Sequence, residues 1–128
     1  QGAGPVGIAG GTPIPLGMHG TPGSGLVIST RGFLSSGNAQ RFGRVLAHEL
    51  AHALGLFHTT ERSGAVFDPL PDTPVCPLDA DRNGDGVLDA AECAEHGADN
   101  LLFPSTDASA SELSADQIEV LRSALVLQ

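Results

Sequence analysis

The sequence predicts a small α+β domain: one short strand, a long helix at mid-chain, an acidic loop with regular ligand spacing, and a closing helix. Three observations carry this. A β-branched run, Leu26-Val27-Ile28-Ser29-Thr30, lies between Gly25 and Gly32. Helix-start residues, Ser35-Ser36-Gly37-Asn38, precede a helical stretch at about 39–54. From Ser114 a capping pattern opens an apolar repeat that runs to the end of the chain. At 128 residues the chain is expected to form a single domain, 1–128, divided into 1–25, 26–58 and 59–128.

Charge narrows the partners. Fifteen acidic residues stand against six basic ones, all arginine, for a net charge of -9. Such a surface repels nucleic acid and anionic membrane. No apolar run approaches the roughly 18 residues that a membrane span needs. With no Trp and no Tyr, the core is expected to be aliphatic. No signal peptide is visible. Because the chain begins at Gln1, it is expected to be a processed form or an excised piece, so that absence does not bear on secretion.

Residues 1–25 are rich in Gly and Pro and hold no helical period, so they read as an ordered loop if packed on something and as a flexible tail otherwise. His19, with no partner spacing, reads as structural or solvated. In the helix at about 39–54, Phe42, Val45, Leu46, Ala53 and Leu54 make the expected apolar stripe. Arg41 and Arg44 read as solvated charges.

That helix carries His48-Glu49-Leu50-Ala51-His52, followed by Gly55 and His58. His48 and His52 are four apart, one turn above each other on one face. Two imidazoles so placed chelate one ion, and Zn²⁺ suits their neutral nitrogens. Gly55 can enter the left-handed conformation, end the helix and bring His58 back as a third ligand. Three protein ligands leave the fourth position open to water, the layout of a catalytic rather than a structural zinc. Glu49 is then the general base.

A second constellation begins at Asp81: Asp-Arg-Asn-Gly-Asp-Gly-Val-Leu-Asp-Ala-Ala-Glu. Its spacing is that of an EF-hand calcium loop, 81–92. Asp81, Asn83 and Asp85 supply side-chain oxygens, Val87 its carbonyl, Asp89 a direct or water-borne contact and Glu92 a bidentate carboxylate. Gly86 permits the sharp turn. Pro74 and Pro77 exclude an entering helix, so a structural calcium is expected rather than a sensor. Cys76 and Cys93 bracket the loop. A disulfide between them would clamp it, contributing about 3 kcal/mol; zinc binding by this pair lacks a second Cys or His pair at finger spacing. Two cysteines are compatible with an oxidising compartment.

The pattern H-E-x-x-H-x-x-G-x-x-H resembles the metzincin clan of zinc endopeptidases. Thr59 after the third histidine and Asp72-Thr73-Pro74-x-Cys76 beyond it look most like the pappalysin family. The resemblance implies a metalloendopeptidase of metzincin-like fold with a reduced or truncated upper sheet and a peptide or protein substrate. It implies a secreted location, and an upstream part of the same precursor as a partner. It also implies that the strand Leu26, Val27, Ile28 and Ser29 lines the upper rim of the cleft, where a substrate strand would pair. Leu102, in Asn100-Leu101-Leu102, occupies the place of the methionine in the Met-turn beneath the histidines. The tyrosine that helps several metzincins at the oxyanion is missing, and Pro104 stands near that place. Two other functions compete: a calcium-binding structural or adhesion module with a vestigial zinc site, and a zinc-dependent amidase on a non-peptide substrate. For the final helix, Ser114 and Gln117 form a capping box, and Ile118, Leu121 and Leu125 the expected buried stripe.

Overall fold

Two strands, β1 (Gly7–Ala9) and β2 (Leu26–Ile28), pair antiparallel, with Ile8 opposite Val27. They belong to a computed structural model that describes residues 7–14, 21, 23–30, 38–104 and 109–126. β2 is the strand the sequence predicts, but it ends at Ile28, and Ser29 and Thr30 lie outside it. β1 corrects the reading of 1–25 as loop throughout, because Ile8 stands among glycines that give no alternating pattern. The Gly10 N–H donates to the Gly25 carbonyl at 3.0 Å, continuing the ladder. By the antiparallel alternation, the N–H groups of Gly7 and Ala9 then point away from β2. His19 and the helix-start residues Ser35, Ser36 and Gly37 lie outside the described residues.

Helix α1 (Ala39–Ala53) starts at Asn38, whose side-chain oxygen accepts the Arg41 N–H at 3.0 Å. It ends at Gly55, which has a φ of 108°. The Gly55 N–H donates to the His52 carbonyl at 2.9 Å and the Leu56 N–H to Ala51 at 3.0 Å. These are the two bonds of a Schellman cap, and its left-handed residue costs a non-glycine roughly 1–2 kcal/mol.

The buried face of α1 is Arg44, Val45, His48, Glu49 and Ala51. This corrects two expectations. Leu46 is 41% exposed rather than buried. Arg44 is not a solvated charge: it donates to the carbonyls of Leu101 at 3.2 Å, Phe103 at 3.1 Å and Ala110 at 3.3 Å. A buried guanidinium with several carbonyl acceptors is satisfied where an isolated one would be costly, so polar anchoring sets the rotation of α1.

Under α1 the chain makes a tight turn. The Phe103 N–H donates to the Asn100 carbonyl at 3.0 Å, and the Leu102 N–H to the Asn100 side chain at 2.8 Å. Leu101 and Leu102 join Ala51 and Leu56 in one apolar cluster, with Leu70, Leu113, Val120 and Leu121 packed against it. Phe103 joins a second cluster with Leu88 and the Cys76–Cys93 disulfide.

Helix α2 (Ala115–Val126) begins with the predicted capping box. The Gln117 N–H donates to the Ser114 hydroxyl at 3.2 Å, and the Gln117 side chain accepts the Ser114 N–H at 2.9 Å. Gln117 also exchanges amide hydrogen bonds with Asn100 and is fully buried. That pair turns α2 so that Val120 and Leu121 face the core while Ile118 is 36% exposed, which corrects the expected stripe. The Leu125 side chain lies outside the described residues. Among the described residues no helix is long and apolar enough to cross a membrane.

Candidate metal centre

α1 and its Schellman turn bring His48, His52 and His58 together, with one ligand atom of each within 4.8 Å of the others. His48 Nδ1 lies 2.7 Å from the Leu101 carbonyl and His52 Nδ1 2.6 Å from the Leu56 carbonyl. A carbonyl only accepts, so both Nδ1 atoms carry the proton. His58 Nδ1 lies 2.9 Å from a Glu61 carboxylate oxygen, which fixes the same tautomer. All three Nε2 atoms therefore present lone pairs inward. They approach one another closely, at 3.1 Å for His52 and His48 and 3.2 Å for His48 and His58.

Facing lone pairs at that distance repel unless a proton or a cation lies between them. Burial disfavours the proton, pushing His48 down to about 3 against the pull of the Leu101 carbonyl. His58 is also lowered by burial, with Glu61 opposing. A cation held between the three nitrogens would relieve the repulsion, and their placement could hold one. Ligands about 2.0–2.1 Å from a tetrahedral Zn²⁺ stand roughly 3.3 Å apart, close to the spacing found. The donor set fits a divalent ion of that kind. Acceptors on the far nitrogens complete the arrangement, since they orient the rings and raise their basicity. Glu61, three residues after His58, was not singled out in the sequence, although its spacing made it findable.

The cleft above these rings has a volume of about 390 Å³. β1 supplies Gly7 and Ile8 to its wall, and α1 supplies Arg44, Val45 and Glu49 besides two of the histidines. Arg62 and Pro104 complete it with His58. Leu26, Val27, Ile28 and Ser29 are not among the residues that line that wall, and Val27 is 70% exposed. The Ala9 N–H hydrogen-bonds the Glu49 carboxyl, while burial pushes that carboxyl above its ordinary range against His52, this N–H and Arg44. A Cβ on Gly7 would lie 2.6 Å from Glu49 Cγ, so glycine lets β1 approach this close with the Glu49 side chain where it stands. No feature of the sequence announced that contact.

The acidic loop curls by side chain-to-backbone bonds. Asp81 accepts the N–H groups of Gly84 at 2.7 Å and Gly86 at 2.8 Å. Asn83 accepts from Asp85, and Asp85 from Val87, both at 2.8 Å. Glu92 reaches back to Arg82 at 3.0 Å and Asn83 at 3.2 Å, and Asp89 accepts from Ala91 at 2.8 Å. Gly86 takes the expected left-handed turn, with φ 75°. Among the described residues, however, the histidine triad is the one convergence of three or more His, Cys, Asp or Glu ligand atoms. The Cys76–Cys93 disulfide is formed, with both residues fully buried.

Leu102 is fully buried in the turn whose neighbouring Leu101 carbonyl holds His48. Comparison with protein-family models, with characterised proteins and with solved structures finds no match to this chain.

Proposed function

We propose that this chain is a zinc-dependent endopeptidase domain of metzincin type, most like the pappalysins, working in a secreted setting. The observation that carries the reading is the convergence of three Nε2 atoms in one cleft with a buried carboxyl, Glu49. A structural zinc has no use for that carboxyl. The turn at Asn100–Phe103, with Leu102 in the methionine's place, and the disulfide add support.

A zinc ion held by His48, His52 and His58 supplies Lewis acidity toward a peptide carbonyl and acidifies water. The residues of the chain do the rest. Leu101, Leu56 and Glu61 fix the rings by accepting from Nδ1. Glu49, with a carboxyl raised by burial, takes a proton from the water that adds to the carbonyl carbon. It returns that proton to the amine as the C–N bond breaks. β1 offers an extended edge along the cleft, the kind of surface to which a peptide backbone adds, so the role expected of β2 passes to β1.

Metal analysis is expected to give one zinc per chain, lost in His52→Ala. Glu49→Gln should keep the zinc and lose peptide hydrolysis by a factor of roughly 10² or more. Equal turnover in Glu49→Gln and wild type would overturn the assignment. In the same proposal, calcium held by Asp81, Asn83, Asp85, Val87, Asp89 and Glu92 stabilises the loop. Added calcium should then raise the melting temperature of wild type and leave Asp85→Ala nearly unmoved; equal rises would remove calcium from the scheme.

A further inference from the structure

We infer that Arg62 makes the cleft select substrates carrying a carboxylate close to the bond that is cut, an inference that rests on the peptidase reading above. Arg62 lies at the tip of the turn that follows His58. Thr60 bridges Phe67, the Glu61 N–H donates to the Val66 carbonyl at 2.8 Å, and the Gly64 N–H closes on Glu61 at 2.8 Å. The Arg62 carbonyl accepts the N–H of buried Leu88 at 2.8 Å. Its backbone is therefore pinned from two directions.

Its side chain is not. Arg62 is exposed, lines the same cleft as the triad and Glu49, and its guanidinium has no hydrogen bond or ion pair among the described residues. The other arginine in the wall is committed, since Arg44 donates to three carbonyls. Arg62 thus brings five unspent N–H donors and a full positive charge to the cleft. A planar fork of donors matches a carboxylate in bidentate fashion.

Stabilising the reacting carbonyl is the competing use of such a cation. That role requires donors held rigidly where charge develops. An exposed arginine on a pinned backbone sweeps a volume instead, which suits a charge on a substrate that also moves. The chain's net charge of -9 acts the other way at long range, favouring cationic substrates. Screening within about 8 Å at physiological salt confines that field, whereas a guanidinium in contact with its partner is felt in full.

The test measures binding on Glu49→Gln, so that it does not depend on turnover. Short fluorescein-labelled peptides are prepared as sets with Glu, Gln or Lys at each position in turn. Each is made with a free or an amidated C-terminus, so that a side-chain carboxylate is told from a terminal one. In at least one position the carboxylate peptide should bind about five- to tenfold tighter than its neutral twin, the range of a charge-assisted contact that is partly solvated. The margin should shrink with salt, vanish in Glu49→Gln/Arg62→Gln and invert toward Lys in Glu49→Gln/Arg62→Glu. Equal affinity for the paired peptides, or a margin that survives loss of Arg62, would overturn the inference. So would a uniform fall in wild-type turnover on Arg62→Gln with preference unchanged, which would place Arg62 at the carbonyl. Failure of the peptidase reading shows separately, as a wild-type protein that holds no zinc or cleaves nothing.

Discussion

Gly7 has no side chain, and that fixes where Glu49 can stand. An added Cβ meets Glu49 Cγ and Oε1, both at 2.6 Å. These atoms belong to a flexible carboxyl arm, so, on the proposed zinc-peptidase reading, Gly7→Ala should fold and bind zinc as wild type does while the carboxyl swings aside. A misplacement on the order of 1 Å costs about 10²-fold in rate. The measurement pairs zinc content and melting temperature, both unchanged, with peptide turnover, which falls. Undiminished turnover would mean that β1 does not place the base. The residues of the metal motif were legible because helical geometry joins neighbours four apart and one glycine supplies the return. Gly7, Arg44 and Ala9 were not, because their contacts span large separations. Arg44 reaches acceptors 57 to 66 residues away, and nothing local in a sequence records such a partner.

The same division holds for elements. Asn38 and Ser114 announce their helices because a cap is a local arrangement of side chain and backbone. The strand β1 was hidden because Ile8 and Ala9, set between Gly7 and Gly10, carry no pattern, and α2 was rotated by a buried amide pair rather than by its apolar residues. Asp72 adds a cap from outside the helix. Its carboxylate accepts the Asp116 N–H at 2.9 Å and the Ser114 hydroxyl at 2.8 Å. The Asp116 N–H, first among these donors, holds the Asp72 carboxyl below its ordinary value of 3.8. A depressed folded value stabilises the fold above the unfolded value, and that contribution disappears as pH falls through the folded one. Asp68 and Glu49 work with the opposite sign, because burial raises both. Glu49 is common to wild type and Asp72→Ala and cancels in the comparison, and Asp68 does so apart from the smallest of its causes, the neighbouring Asp72 charge. The melting-temperature gap between these two proteins should be constant from neutral pH to about 5 and close as pH drops below about 4. A gap independent of pH would remove the carboxylate from the cap.

At the scale of the molecule, the described residues form two small apolar clusters; the disulfide clamps one, and the histidine triad would clamp the other with an ion bound. The disulfide closes a span of 17 residues, for which the chain-entropy model gives about 3 kcal/mol. The triad closes the other side when an ion occupies it, worth about 2.7 kcal/mol at a hundredfold excess of free metal over its dissociation constant. If the clamps were independent, their contributions would add to within about 0.5 kcal/mol. The geometry argues against independence. Phe103 packs on the disulfide, while Leu101, two residues earlier in the same turn, offers the carbonyl that orients His48 and binds Arg44. Loosening Phe103 should disturb that carbonyl and weaken the metal site. Excess zinc should therefore raise the unfolding free energy less in Cys76→Ser/Cys93→Ser than in wild type, by an amount within the roughly 0.5–3 kcal/mol typical of coupled neighbours. Urea unfolding with and without zinc on both proteins gives the four free energies needed. Equal zinc increments would show that the turn does not transmit, and that the two halves of the molecule are stabilised separately.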